Sequence, residues 1–285
     1  MHSKILGVME NTVNFDEDIH NILNFSNENN DYKEFRVGDW RTFVIRNSSG
    51  LDDDGLIQSG NFKLKITPRG QEISNINNWI DSFFNTELLR LARIHSMGDG
   101  GVLIPHRDFL ELGEEGNHWF RVHIPIKTND TCLHAENDEI FHMRQGEIWF
   151  LDAKHLHSAT NSSHERRLNL CLDFEIRGLS YQSIFRNPID ESSLPKPKII
   201  NREDLSPDFI NGLHNLSKII SKDNYWDIVG FLSKVPFYKN TGLSSFYEWM
   251  LKISEQSGDE YIFSKTKQFC QFLKAERKMY ERFVI

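Results

Sequence analysis

Three residues near the middle of the chain have the types and the order of a non-haem iron site: His106, Asp108 and His157. Two imidazoles and one carboxylate can occupy one face of an octahedral Fe(II) ion and leave the opposite face open for substrates and O2. Residues two apart on a β-strand point to the same side, so His106 and Asp108 can act together if they lie on a strand. The third ligand must then come from a second strand brought alongside. Spacing alone leaves His155 as an alternative to His157.

The arginines that follow this set are the second candidate feature. The planar guanidinium of an arginine can pair with a carboxylate through two parallel hydrogen bonds. We predict that Arg167 binds the distal carboxylate of 2-oxoglutarate deeper in the same core. Arg166 competes for this role, but adjacent strand residues face opposite ways, so only one of the two can point inward.

The His-x-acid pair is a weak signal when taken alone. With 12 His and 41 acidic residues in the chain, chance gives about two such pairs, and two occur, at His106 and at His134. The first follows the apolar run 102–104, whereas the second lies in the polar, turn-like segment 129–138. We therefore interpret His134 as a solvated loop residue.

Short strands separated by turns surround the candidate ligands. Alternating apolar and polar residues predict strands over 4–9, 40–46, 62–66, 89–95, 102–106, 119–126, 139–143, 147–151 and 168–175. Helices are predicted over 14–25 and 73–89, and the loop 47–60 is long enough to be a lid. No helical crossovers alternate with the strands, so the fold class is mainly β: a double-stranded β-helix (a cupin-like jelly roll) with flanking helices.

The periodicity becomes helical after a proline-containing connector near residue 195. Ser206 and Pro207 make a good helix start, further helices are predicted over 225–232 and 243–253, and a long amphipathic helix over 261–283. We predict two domains, a jelly-roll domain over 1–190 and a helical C-terminal subdomain over 200–285 packed on it.

Composition excludes several classes of protein. The net charge of −8 argues against a general binder of nucleic acid or of anionic membranes, and no apolar run reaches the length of a membrane span. The first ten residues become acidic too early for a signal peptide. Three widely spaced cysteines form neither a disulfide framework nor a zinc-binding pair, which fits a reducing compartment. We expect a cytoplasmic protein, and composition does not predict its oligomeric state.

Several of these segments together resemble a known family. The segments 104–108, 121–123 and 146–153, with His157 ahead of Arg167, are similar to the aspartyl/asparaginyl β-hydroxylase branch of the Fe(II)/2-oxoglutarate dioxygenases. Within that branch the chain most resembles the bacterial L-proline cis-4-hydroxylases. The likeness is strongest over residues 1–180 and weak in the C-terminal helices.

The resemblance implies an enzyme that hydroxylates a free L-amino acid with Fe(II), 2-oxoglutarate and O2, and for which ascorbate is helpful in vitro. Iron would be held by His106, Asp108 and His157, and His155 would lie at the rim. His123 would bind 2-oxoglutarate together with Arg167, unless it is a structural core histidine. No side-chain nucleophile is required.

A free amino acid brings its own carboxylate, for which arginine is the natural partner. Arg121 shares a strand face with His123, so we expect Arg121 and Arg93 to bind the substrate, the alternative for Arg93 being a surface or mouth salt bridge. L-Proline or its ring homologue pipecolate is the leading substrate. L-Lysine is the alternative, with an acidic residue such as Glu111, Glu114 or Glu115 for its ammonium group.

Two further hypotheses stay open. The substrate could be a carrier- or peptide-tethered residue that docks on the C-terminal helices. From a different class, the chain could be a non-catalytic jelly-roll protein that binds a small acid. Consumption of 2-oxoglutarate that depends on iron and oxygen would separate an enzyme from a binding protein.

Overall fold

The computed structural model describes residues 1–10, 12–26, 32–109, 118–274, 277 and 281–285. Its strands are β1 (Lys4–Val8), β2 (Arg36–Val37), β3 (Trp40–Asn47), β4 (Lys65–Ile66), β5 (Leu89–Met97), β6 (Val102–His106), β7 (Trp119–Lys127), β8 (Cys132–Glu136), β9 (Glu139–His142), β10 (Glu147–Leu151), β11 (His157–Asn161), β12 (Arg167–Glu175), β13 (Lys198–Ile199), β14 (Glu203–Asp204) and β15 (Lys239–Asn240). Its helices are α1 (Asp16–Leu23), α2 (Pro68–Gln71), α3 (Ser74–Phe83), α4 (Pro207–His214), α5 (Tyr225–Tyr238), α6 (Ser244–Gln256) and α7 (Glu260–Lys274).

Two antiparallel sheets form the body of the protein. The larger sheet has the strand order β1-β10-β7-β12-β5-β3-β4, and the smaller has the order β13-β9-β8-β11-β6-β2. Strands that are distant in sequence are neighbours in both sheets, as in a jelly roll and unlike a simple meander. The predicted double-stranded β-helix with flanking helices is confirmed.

Each sheet has one face covered by helices. On the larger sheet, the apolar side chains of β12 at Leu168, Leu170 and Leu172 join the cluster formed with α1 and α3. The alternate residues of β12, which include Asn169 and Asp173, face the smaller sheet. Because the outer face is the apolar one, the polar residues of the central strands point into the molecule.

The C-terminal helices cover the outer face of the smaller sheet. Val102 and Ile104 on β6 belong to the same apolar cluster as α5, α6 and α7. The connector at 198–199 pairs with β9 and extends that sheet. The division of the chain into two domains between residues 190 and 200 stays a prediction. Within the described ranges, no helix is both long and apolar enough to span a membrane.

Two predicted elements are shorter than expected. The strand predicted over 62–66 is reduced to Lys65–Ile66 at the sheet edge, where only β3 is available as a partner. The helix predicted over 261–283 ends at Lys274, and residues 281–285 are not helical. Phe283 instead packs on Phe269 of α7, with 4.8 Å between ring centroids.

Candidate active site

The structure brings the three predicted metal ligands together. His106 ends β6 and His157 begins β11, and the two residues are register partners across the antiparallel pair. Asp108 follows directly after β6, with its carboxylate oxygens 3.3 Å from Nε2 of His106 and 3.7 Å from Nε2 of His157. All ligand atoms of the three residues lie within 4.8 Å of one another. The fold therefore gathers these three residues, which are separated in sequence, into one cluster of donor atoms that can face a single metal ion.

Backbone carbonyls fix the orientation of both imidazoles. Nδ1 of His106 lies 2.7 Å from the carbonyl oxygen of Ile104, and Nδ1 of His157 lies 3.0 Å from that of His155. A carbonyl can only accept, so each Nδ1 donates its proton and each Nε2 keeps a free lone pair. Burial, reinforced by His106, lowers the pKa of His157 to about 4. The ring is therefore neutral, which is the form that binds a metal.

Asp108 is held ionised beside these rings. Burial alone would raise the pKa of its carboxyl group, but Arg121 and the two histidines outweigh that effect and hold the pKa well below its ordinary value. Two neutral imidazoles and one carboxylate are the donor set of a non-haem Fe(II) site. The residues present therefore fit the metal that the sequence predicts.

A cavity of about 600 Å³ opens between the two sheets beside these ligands. Polar groups from the inner faces of both sheets line its floor, and aromatic side chains line one wall at Tyr32, Phe35 and Trp40. Residues 53–57 of the loop that was predicted to be a lid form part of the opposite rim. The volume suits a small organic ligand next to a metal ion.

Arg93 and Arg121 meet on one buried carboxylate. Asp173 on β12 accepts from Nη2 of Arg93 at 2.7 Å and from Nε of Arg121 at 2.6 Å. Arg121 also pairs with Asp108, which links this group to the metal ligands. The salt bridge considered as the alternative for Arg93 exists, but it is buried and on the cavity wall rather than at the surface. Asp173 was not singled out by sequence reasoning, although it alternates with Arg167 along β12.

Arg167 is a buried cation on β12 that lies beside the cavity-lining His134 and is not itself one of the described residues that line the cavity. Its Nη2 lies 2.5 Å from Nε2 of His134, and among the described residues it has no carboxylate partner. Burial lowers the pKa of Arg167 to about 10, at which it is still charged at neutral pH. A buried charge without a counter-ion is costly, so the site is suited to a ligand that brings a carboxylate.

The interpretation of His134 as a solvated loop residue was wrong. Residues 132–136 form strand β8, which pairs with both β9 and β11, and His134 is 4% exposed. Burial and the nearby Arg167 hold the pKa of His134 well below its ordinary value, so the ring is neutral. The segment looked polar because its inward residues face a polar cavity.

Neither competing residue points into the site: Arg166 faces away from Arg167 by strand alternation, and His155 precedes β11 in the chain. Arg166 pairs with Asp39 and donates to Oγ of Ser96 at 3.1 Å, away from the side chain of Arg167. The ring of His155 is 38% exposed and lies by Asp152 at the surface, while its backbone carbonyl orients His157.

Two histidines, the buried His123 and the half-buried His95, add nitrogen atoms without a described partner to the cavity. His123 and His95 both line it, and within the described part of the chain Nε2 of each has no hydrogen-bond partner. Burial holds the pKa of both rings well below the ordinary value, so both are neutral. His95 was missed by sequence reasoning, although it alternates with Arg93 along β5.

The loop 47–60 is anchored through Glu175. This carboxylate accepts from Ser59 and from the backbone N–H of Gly60, and it pairs with Arg90 and Arg177. Burial opposes ionisation, but these hydrogen bonds outweigh it and lower the pKa of Glu175 from 4.5 to about 2. The anchor therefore contributes stability above the unfolded pKa and loses it as the pH falls towards the folded pKa.

We predict that acid loosens this loop before the protein unfolds. Hydrogen exchange of peptides covering 47–60, corrected for the intrinsic effect of pH, should accelerate as the pH falls from about 5 to about 2. Glu175→Gln should show the fast exchange already at neutral pH. Equal protection in the variant and the wild type at neutral pH would contradict the anchoring role.

Comparison with known proteins agrees with this geometry. L-proline cis-4-hydroxylase of Rhizobium meliloti (strain 1021) is 33% identical over 247 residues, which cover 87% of this chain and 86% of that protein. L-proline cis-3-hydroxylases 1 and 2 of Streptomyces sp are each 30% identical over 286 residues, which cover 99% of this chain and 98% of theirs. The chain is a 2-oxoglutarate-dependent dioxygenase.

Within that class, the chain belongs to the aspartyl/asparaginyl β-hydroxylase family, whose model matches residues 9–176. A second family model, described as L-proline 3-hydroxylase, C-terminal, matches residues 182–281. The resemblance noted in the sequence is confirmed and extends into the C-terminal helices, where the sequence alone showed little likeness. Fe(II), 2-oxoglutarate and O2 are the metal and cosubstrates of this class.

Proposed function

We propose that the protein hydroxylates free L-proline. The similarity over most of the chain to relatives named as proline hydroxylases carries this proposal. A carboxylate-binding pair of arginines in an aromatic-walled cavity beside the candidate iron ligands supports it. The three cysteines, all free and buried, fit the reducing conditions of the cytoplasm, where we place the enzyme.

His106, Asp108 and His157 would hold Fe(II), and Arg167 with His123 would hold 2-oxoglutarate. Fe(II) with 2-oxoglutarate and O2 supplies the oxidant that inserts oxygen into a C–H bond, and ascorbate is expected to help in vitro by keeping the iron reduced. The protein contributes orientation and the exclusion of water, and no side-chain nucleophile takes part.

The buried Arg167 suits the distal carboxylate of the cosubstrate. A guanidinium binds a carboxylate through two hydrogen bonds, which would replace the missing counter-ion. His134 lies against the same guanidinium and would share this end of the cosubstrate. His123 lies on β7, in the same sheet as Arg167, with its ring centroid 6.0 Å from that of His134. Its Nε2, which has no partner among the described residues, suits a carboxylate or keto oxygen.

Arg93 and Arg121 would bind the carboxylate of the amino acid. Asp173 neutralises one of the two guanidinium charges, and Asp108 is neutralised by a bound metal, so the arginine pair keeps one positive charge for the substrate. Asp173 also holds both side chains in place, so little rotamer freedom is lost when the substrate binds. The aromatic wall at Tyr32, Phe35 and Trp40 would contact the proline ring.

The position of hydroxylation depends on the distance between this arginine pair and the iron. The relatives include a cis-4- and two cis-3-hydroxylases, and both reactions place a ring C–H bond at the metal. The acidic residues considered for binding lysine, Glu111, Glu114 and Glu115, lie outside the described residues. Lysine and tethered substrates are therefore alternatives to proline that the test below distinguishes.

The test measures succinate formation with Fe(II), ascorbate and air across the twenty free amino acids and pipecolate, with product mass and NMR in the same runs. We expect a gain of one oxygen on L-proline, and NMR then assigns carbon 3 or carbon 4. Oxygen gain on lysine alone, or only on a tethered residue, would overturn the choice of substrate. The absence of succinate from iron-loaded protein with every substrate would favour a binding protein.

A further inference from the structure

A second group of metal-binding side chains lies outside the iron site. His2, Asp152 and His155 meet at the surface, where the chain start runs beside the segment that joins β10 to β11. The register that pairs Lys4 with Phe150 continues outward and brings His2 beside Asp152. The function proposed above uses none of these three side chains.

The spacing of the donor atoms suits a small divalent cation. Nε2 of His155 lies 3.4 Å from a carboxylate oxygen of Asp152, and the donor atoms of all three residues lie within 4.8 Å of one another. In a tetrahedral zinc site with bonds of about 2.1 Å, ligand atoms are about 3.4 Å apart. The rings of His2 and His155 are stacked at 3.9 Å between centroids with their planes 10° apart, so both rings must tilt out of this stack to direct their nitrogen lone pairs at one ion.

The backbone that carries these ligands is fixed by buried hydrogen bonds. Glu136 accepts from the backbone N–H of His2 and, at 2.8 Å, from that of Ser3. The hydroxyl of Ser3 donates to Glu136 and accepts from the backbone N–H of Asp152 at 3.0 Å. These hydrogen bonds join the backbone around His2 to the backbone around Asp152. Metal binding would therefore require little additional ordering of the backbone.

We propose that His2, Asp152 and His155 form a surface site for Zn²⁺ or a similar borderline divalent ion, with water in the remaining positions. Two imidazoles and one carboxylate are a common zinc donor set. Imidazole nitrogens bind zinc in preference to the hard cations Mg²⁺ and Ca²⁺, which prefer oxygen ligands. The site is separate from the iron ligands, although it lies on a segment that touches them.

That segment connects the two sites through its carbonyl groups. The carbonyl oxygen of Ala153 accepts from the backbone N–H of Asp108 at 2.7 Å, and that of His155 accepts from Nδ1 of His157 at 3.0 Å. Asp152 is adjacent to Ala153, and His155 itself carries the second carbonyl group, so two of the three surface ligands lie on the backbone that orients two of the iron ligands. A surface ion would stiffen the segment, and the coupling between the two sites would be reciprocal.

The first test is zinc binding to a variant that lacks the iron site. In His106→Ala/Asp108→Ala protein, which keeps the separate group His95, His123 and Cys171, calorimetric titration with Zn²⁺ alone should show a site that is weakened at least tenfold when His2→Ala is added. His164→Ala is the matched control, because His164 pairs with Asp99 in an exposed His–Asp pair for which no third ligand was found in the described residues. No zinc site in the parent variant, or equal binding after His2→Ala and His164→Ala, would overturn the proposal.

The second test addresses the connection to the iron site. Hydrogen exchange of peptides covering 152–157 should slow several-fold when Zn²⁺ is added to His106→Ala/Asp108→Ala protein, and should not change when His2→Ala is also present. Zinc binding without any change in this exchange would overturn the coupling. Both tests are independent of the substrate, so they can succeed or fail separately from the proposed hydroxylase activity. Thermal melting of each variant checks that it is folded.

Discussion

Replacing His157 with alanine is expected to abolish tight Fe(II) binding and to lower turnover by more than about a hundredfold. Loss of a residue that merely supports a metal ligand typically costs about 10- to 100-fold, and loss of a ligand costs more. Anaerobic Fe(II) titration and succinate formation measure the two effects. The protein should remain folded, because a smaller neutral side chain at this cavity wall leaves no buried charge unpaired.

His155→Ala separates this prediction from its alternative. The backbone carbonyl that orients His157 is kept in the variant, and the side chain it loses points to the surface. In zinc-free buffer, iron affinity and turnover should stay within about twofold of the wild type, the usual range for a surface substitution. If His155→Ala loses iron while His157→Ala retains it, the ligand assignment is wrong.

Arg167→Met is expected to raise the KM for 2-oxoglutarate about 30- to 100-fold, with a smaller effect on the KM for the amino acid. Hydrogen bonds to a charged group contribute about 1.5–3 kcal/mol, or about 10- to 150-fold, and the expected increase lies within these limits. Stability should not fall, because the variant removes a buried cation that has no carboxylate partner among the described residues. Steady-state kinetics at saturating proline and thermal melting measure these two quantities.

Arg166→Met is the matched control for this prediction. Arg166 is the adjacent residue, is also an arginine, and pairs with Asp39 rather than with a cavity group. Its loss should leave the KM for 2-oxoglutarate within about twofold, since exposed ion pairs contribute little. Equal increases in KM for the two variants would mean that 2-oxoglutarate is bound elsewhere.

Much of the fold could be predicted because strand periodicity is a local property. Alternation over 102–106, 119–126 and 147–151 predicted strands that the structure contains within a residue or two. The long helix predicted over 261–283 is confirmed as far as Lys274, but residues 281–283 are not helical although the amphipathic pattern includes them. Phe283 contributes its apolar ring by packing on Phe269.

The sequence by itself determined the order of His106, Asp108 and His157, and strand alternation required that only one of Arg166 and Arg167 point inward. These inferences depend on short-range relations along a strand, where residues two apart point to the same side and adjacent residues point to opposite sides. Only the tertiary structure decided that His134 and His95 also line the cavity, and that Asp173 holds the two arginines of its wall.

Alternation separates the two faces of a strand, but it does not tell which face is turned to solvent. In this protein both faces of the central strands are buried, the apolar face against helices and the polar face around the cavity. A polar residue such as His134 therefore looked solvated in the sequence and is buried in the fold. The burial of the polar face depends on the second sheet and on the covering helices, because together they exclude water from both sides of the strands.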